Sequence, residues 1–331
     1  MVLIERLSNA RGGTMAVYTQ VPAEALAAFL RRYDGVGDLV SAKGIAEGVE
    51  NSNYLVDTTT SRFILTLYEK RVDAGDLPFF LDLLDHLAAR CLPVPPAVKD
   101  RDGVAIQTLA GRPACLIRFL TGVSLTQPTP EQARTAGAAL GRLHAAAADF
   151  RGHRPNSLGV ADWRPLLERC GHDLDAIASG LFARVDAALA AVETAWPHDL
   201  PRSVIHADLF PDNVLTLGAE VTGLIDFYFA CNYIRAYDVA VMHSSWAFDP
   251  AGAPLDGVGP ALLSGYDAAF GLSDAERAAL PVLARGACIR FLLTRAWDWL
   301  NTPADALVTR KDPLAYLRRL DWYDAHAEAF A

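Results

Sequence analysis

The stretch "VIHADLFPDNVLTLGAEVTGLIDF" (Val204–Phe227) governs the reading of the whole chain. An apolar run, "SVI", enters a loop carrying His206 and Asp208. Asn213 follows Asp208 by five residues, and a second apolar run, "VTGLI", delivers Asp226. Two strand-like runs thus present two carboxylates and an amide at their ends. Phosphoryl transfer from Mg-ATP to an alcohol asks little covalent chemistry of a protein. It needs a carboxylate near the hydroxyl and oxygen ligands that hold Mg²⁺ on the phosphates. Mg²⁺ prefers hard oxygen donors, usually one or two carboxylates, with phosphate and water filling the rest. Asp208, Asn213 and Asp226 supply that set. Singly, each is an ordinary turn residue, because Asp and Asn cap turns. Their arrangement between two strands is what points to phosphoryl transfer.

"HADLFPDN" resembles the catalytic loop, and "IDF" the magnesium-binding segment, of the phosphotransferase family that includes aminoglycoside and choline kinases, distant relatives of protein kinases. Carried over by residue, the resemblance implies Asp208 as catalytic base, Asn213 and Asp226 as metal ligands, and His206 as a structural loop histidine. It implies ATP and Mg²⁺ as cofactors. Further blocks resemble the homoserine kinase branch: "EGVENSNYLV" (Glu47–Val56), "FILTLYEKRV" (Phe63–Val72), "LPFFLDLLDHLAARCLPVP" (Leu77–Pro95), "NSLGVADWRPL" (Asn156–Leu166) and "GLIDFYFACN" (Gly223–Asn232). The activity this implies is ATP-dependent phosphorylation of the hydroxyl of L-homoserine to O-phospho-L-homoserine, toward threonine. Two alternatives stay open at this point. One is a sister kinase for another amino alcohol or a sugar, such as choline or an aminoglycoside. The other is a catalytically silent nucleotide-binding module.

Composition narrows the classes. The 331 residues suffice for one large domain or two lobes. A 52% hydrophobic and 21% charged chain is ordinary for a globular enzyme. The net charge of -9 argues against nucleic acid as a partner, since phosphate-backbone binding relies on concentrated Lys and Arg. No basic amphipathic stretch suggests membrane attachment, and no run approaches the roughly 20 apolar residues of a membrane span. The 5 cysteines are scattered without a CxxC pair, which favours reduced thiols in a cytoplasmic protein. Partners are therefore expected to be small molecules, L-homoserine and ATP; oligomeric state is not legible.

The order of elements predicts an α+β, two-lobed, protein-kinase-like fold: a small antiparallel-sheet N-lobe (15–120) and a larger, mainly helical C-lobe (121–331). Residues 1–14 read as an N-terminal arm or upstream start, because the resemblance begins at Met15. A helix is expected over Pro22–Tyr33, strands over Asn53–Thr58 and Arg62–Leu67 joined by "TTTS", a helix over Leu77–Arg90, and strands over Ala105–Leu109 and Ala114–Phe119. "LTGVSL" is the expected crossing between lobes. Helices follow from Pro130, near Trp163–Ala178, over Leu181–Ala195, and through the last third from Tyr237.

"AEGVENSNYLV" stands where kinases have a glycine-rich loop, with Gly48, Asn51, Ser52 and Asn53 as candidate nucleotide contacts; turn N–H groups can form an anion-binding nest. Many kinases place a phosphate-contacting lysine on the following strand. Thr66 occupies that position here. Lys70 lies four residues on, roughly 13 Å along a strand, and is the candidate contact, with Lys43 as the other possibility; Asp82 or Asp85 would be the helical partner. "YDVAV" resembles the family segment whose aspartate braces the catalytic loop, which gives Asp238 a structural role. Asn232, Arg290 and Arg295 are the candidates for substrate binding. An arginine suits a carboxylate because its fork binds both oxygens, but residues five apart on a helix do not face one ligand together.

Overall fold

The computed structural model describes residues 19–45, 51–69, 73–302, 310–326 and 328–330. The arm 1–14, Gly48 and Lys70 lie outside the described residues. The first part of the chain builds α1 (Ala23–Leu30), β1 (Leu39–Ile45), β2 (Asn51–Thr58), β3 (Arg62–Tyr68), α2 (Leu77–Ala88), β4 (Ala97–Val98), β5 (Gln107–Leu109) and β6 (Arg112–Arg118). The strands form one antiparallel sheet in the order β1-β2-β3-β6-β4, with β5 also on β6. The "TTTS" turn closes as expected, with the Thr58 N–H donating to the Ser61 carbonyl at 2.9 Å.

Alternation along the strands divides the sheet into two faces. Tyr54, Val56, Phe63, Leu65, Leu67, Ala114 and Leu116 pack against Leu26, Phe29 and Leu30 of α1. The opposite face carries Asn53, Ile64, Thr66, Tyr68 and Ile117 and looks into a cleft against the rest of the molecule. α2 closes one side of that cleft, because Phe80, Leu81 and Leu84 fall at helical spacing on its inner stripe.

Beyond the sheet follow β7 (Val123–Ser124), α3 (Pro130–Ala146), α4 (Val160–Cys170), α5 (Leu181–Ala195), β8 (Arg202–Ile205), β9 (Val214–Leu217), β10 (Glu220–Leu224), β11 (Cys231–Ile234), α6 (Arg235–Trp246), α7 (Val258–Ala269), α8 (Asp274–Asn301) and α9 (Leu314–Ala325). The fold is therefore the two-lobed α+β arrangement that the sequence predicts. Two local expectations change. The helix expected over 163–178 ends at Cys170, where Gly171 adopts φ +53° and a 3-10 turn takes over. The crossing "LTGVSL" is not a bare linker: β7 pairs with β9, the strand that follows Asn213. α3 and α7 meet at backbone contact through Gly137 and Gly265; a Cβ at Gly265 would stand 1.9 Å from the Arg134 carbonyl oxygen. Among the described residues no helix is long and apolar enough to cross a membrane.

Candidate active site

β8 ends at Ile205 and the chain turns through His206, Ala207 and Asp208. Ala207 lies in the left-handed region at φ +63°, uncommon for a residue with a side chain. Both of its backbone groups are held. Its N–H donates to Asp238 Oδ1 at 2.7 Å, and its carbonyl accepts from Arg290 Nη1. Asp238, fully buried on α6, also accepts the His206 N–H at 2.7 Å and His144 Nε2 at 3.1 Å on Oδ2. Burial works against its charge, but the bonds and charge from His144 and the contacts at His206 outweigh it, so its carboxyl is held below the usual range.

His206 joins this loop to the next segment. Its Nδ1 accepts the Asp208 N–H at 3.3 Å and its Nε2 donates to the Ile225 carbonyl at 3.0 Å. That pattern needs the neutral ring, in keeping with burial pushing the pKa of His206 down. The Ile225 N–H in turn donates to the Asn213 carbonyl at 3.0 Å. The next residue, Asp226, has φ +67°, a second left-handed position in the site. Two strained residues on neighbouring turns, each fixed from several sides, aim Asp208 and Asp226.

Asn213 Nδ2 donates to the Asp208 carbonyl at 2.8 Å, which turns its Oδ1 the other way. Burial pushes the pKa of Asp208 up to about 7, with Arg290 opposing and the Asp226 charge adding to the rise. Burial likewise raises the pKa of Asp226. Two buried carboxylates that repel one another, beside an amide oxygen, form a hard-oxygen donor set whose excess negative charge a divalent cation would neutralise. The residues present therefore fit Mg²⁺.

Two cavities meet at this loop. The cleft under the sheet has about 850 Å³ of open space, and its apolar walls, among them Ile64, Leu84, Ile117 and Leu215, run up to Asp226. The second cavity, about 780 Å³, is lined by Asp208, Arg169, Arg290, Thr294, Trp297 and Asp298, with Phe229 and Phe291 as walls.

The other candidate residues divide. Asn53 lines the first cleft and accepts the Thr66 hydroxyl at 2.8 Å. Asn51 and Ser52, expected in a phosphate-binding turn, belong to strand β2 instead. Strand alternation sends Ser52 to the face away from the cleft, where its hydroxyl donates to Glu69 Oε1 at 2.8 Å. Asn51 Oδ1 accepts the Glu69 N–H at 3.4 Å. Lys43 pairs in register with Leu55, opposite Ile64, which puts it on the cleft face of the sheet. Asp85 bonds to Lys99 at 2.7 Å rather than to a lysine in the cleft.

Among the substrate candidates, Arg290 lines the second cavity. Arg295 does not: five residues on, about 140° around a helix, its Nη1 donates to the Asp312 carbonyl at 3.3 Å and its guanidinium lies over Tyr316. Asn232 does not line it either, because its Oδ1 accepts the Arg154 N–H at 2.8 Å and fastens a neighbouring loop. Sequence reasoning missed Arg169, whose nearest signal was the block "NSLGVADWRPL" that leads up to it; Trp297 and Asp298 lie in "CIRFLLTRAWDWL" (Cys288–Leu300), a stretch the sequence already offers as a source of the acceptor pocket.

Fold and site together define a kinase-type phosphotransferase, and the profile of the phosphotransferase enzyme family matches residues 41–279. The chain belongs to that family. A homoserine kinase of Zymomonas mobilis subsp. mobilis is 53% identical over 310 residues, 93% of this chain and 97% of the relative. A homoserine kinase of Gluconobacter oxydans is 55% identical over 308 residues, 92% of this chain and 97% of the relative. A spectinomycin phosphotransferase, solved in complex with ADP and spectinomycin, matches with a TM-score of 0.71 over 94% of this chain and 100% of its own, at 13% identity. That likeness concerns the fold.

Proposed function

We propose that this protein transfers the γ-phosphoryl group of ATP to the hydroxyl of L-homoserine, giving O-phospho-L-homoserine, a cytoplasmic step toward threonine. One observation carries the reading: Asp208 lines one cavity, Asp226 lines the other, and His206 ties their two segments together. The apolar cleft suits a nucleotide base and the charged cavity a small zwitterion. The homoserine kinases at 53% and 55% identity favour homoserine among the alcohols such a loop could serve.

Asp208 orients the hydroxyl and accepts its proton. Asn213 and Asp226 would hold Mg²⁺, which on binding neutralises charge developing on the phosphates. Asn53, with Gly48 and either Lys70 or Lys43, is assigned to the nucleotide side. The lobes divide at 120/121 in this reading. The test is ADP release with and without acceptor. L-homoserine should support turnover, L-serine, L-threonine and 3-aminopropan-1-ol much less, and choline and kanamycin none above background. Equal kcat/KM for choline and L-homoserine would overturn the substrate and leave a kinase.

A further inference from the structure

The second cavity holds two guanidinium groups, and they are not equivalent. Arg290 is only 2% exposed, its Nη1 donates to the Ala207 carbonyl, and its guanidinium lies 4.3 Å from the Phe291 ring centroid. It is engaged in holding the strained peptide next to Asp208. Arg169, in the last turn of α4, is exposed at the rim of the same cavity. It lies 4.1 Å from the Trp297 ring centroid, and among the described residues no hydrogen-bond acceptor or carboxylate engages it. A guanidinium stacked on an indole is held flat, so the N–H groups around its edge stay open to a planar, two-oxygen anion. Asp298, one residue past that indole, lines the cavity with the opposite charge.

From this geometry we infer that Arg169 is the specificity-determining anchor for the acceptor's carboxylate, so that the cavity selects α-amino acids over plain amino alcohols. The inference rests on the homoserine reading above. Trp297 sets the plane of the fork, Asp298 faces the ammonium, and the chain of the acceptor extends between them toward Asp208. An acceptor lacking the two oxygens gains nothing from the fork, whose edge donors stay hydrated, so the preference for a carboxylate is set by the strength of the bidentate, charge-assisted bonds.

The experiment compares wild type, Arg169→Met and Arg169→Lys with L-homoserine and with 3-aminopropan-1-ol, which is homoserine with its carboxylate replaced by hydrogen. Arg169→Met should raise the KM for L-homoserine by about 30-fold or more and shrink the kcat/KM preference over 3-aminopropan-1-ol by a similar factor. Its KM for ATP should stay within about twofold, which also reports that the variant is folded. Arg169→Lys keeps the charge without the fork and should fall in between; should the Met variant misfold, the Lys variant carries the test through the same ratio. An unchanged homoserine KM and an unchanged preference would overturn the assignment while wild-type turnover of L-homoserine left the proposed function standing. A wild type inactive on L-homoserine would overturn both.

Discussion

Asp208 is asked to be charged in a place that disfavours charge. Burial raises its pKa to about 7, and the nearby Asp226 adds to the rise. A proton acceptor works only when ionised, so kcat/KM for the acceptor should fall as pH drops through the pKa of Asp208, which bound Mg²⁺ would set below that metal-free value. A pH–rate profile with no fall on the acid side would count against it. Asp208→Ala should lower kcat by at least about 100-fold, while leaving Mg-dependent ATP binding largely intact. Asp226→Ala should instead weaken Mg-dependent nucleotide binding, read by titrating a fluorescent ATP analogue with and without the cation. Near wild-type turnover in the Asp208 variant would remove it from the role of base. The grouping of these residues was legible in the sequence because His206, Asp208, Asn213 and Asp226 all fall within one 24-residue stretch. The pairing of Arg169 with Trp297 was not. They lie on α4 and α8, far apart in the chain, and only helix packing brings them to one cavity.

Strand β2 shows how one element decides which of three adjacent polar residues can serve a ligand. In a turn, Asn51, Ser52 and Asn53 could all point at a phosphate. In a strand their side chains alternate, and the hydrogen bonds of Ser52 to Glu69 and of Asn53 to Thr66 fall on opposite faces. Composition alone suggested a turn, because Asn and Ser are turn formers. Pairing with β3 overrode that preference, as tertiary context does with local propensity. The two faces give a separable prediction. Asn53→Ala should raise the KM for ATP several-fold. Ser52→Ala should leave it unchanged but lose about 1 kcal/mol of stability through its lost bonds. A matching rise in KM for both variants would mean that the two faces are not functionally distinct. The hairpin, α2 and α5 were legible because their apolar periodicity is long and regular. β7, β9 and β11 are no more than four residues each and were not. Too few alternations fit into them to register as a pattern.

At the scale of the whole molecule, the C-terminal end is fastened by buried polar groups rather than by apolar contact alone. His243 of α6 is 2% exposed, and its Nδ1 meets the Tyr323 hydroxyl of α9 at 2.6 Å. The far side of its ring lies against Gly259 of α7, where a Cβ would come within 2.5 Å of Nε2. Three helices thus close around one imidazole. Burial pushes its pKa down to about 3, so the folded state keeps it neutral. An unfolded chain takes up that proton near pH 6.5. Between those two values the unfolded state binds more protons, and stability rises with pH. The stabilisation is complete above the unfolded value and is lost progressively as pH falls below it, by about 1.4 kcal/mol per unit from this group. His206, with its pKa also lowered by burial, contributes with the same sign. Urea unfolding at a series of pH values from 7.5 to 5 reads the sum of these groups, in which Asp208 and Asp226, their pKa values raised by burial, act with the opposite sign, so the His243 contribution is read as a difference between wild type and a variant. In His243→Asn, which keeps a small polar group but does not titrate, the starting stability should be lower and the slope shallower by about 1.4 kcal/mol per unit. An unchanged slope in that variant would mean that His243 takes up its proton without loss of the folded state, and that the helices around it yield to admit the charge.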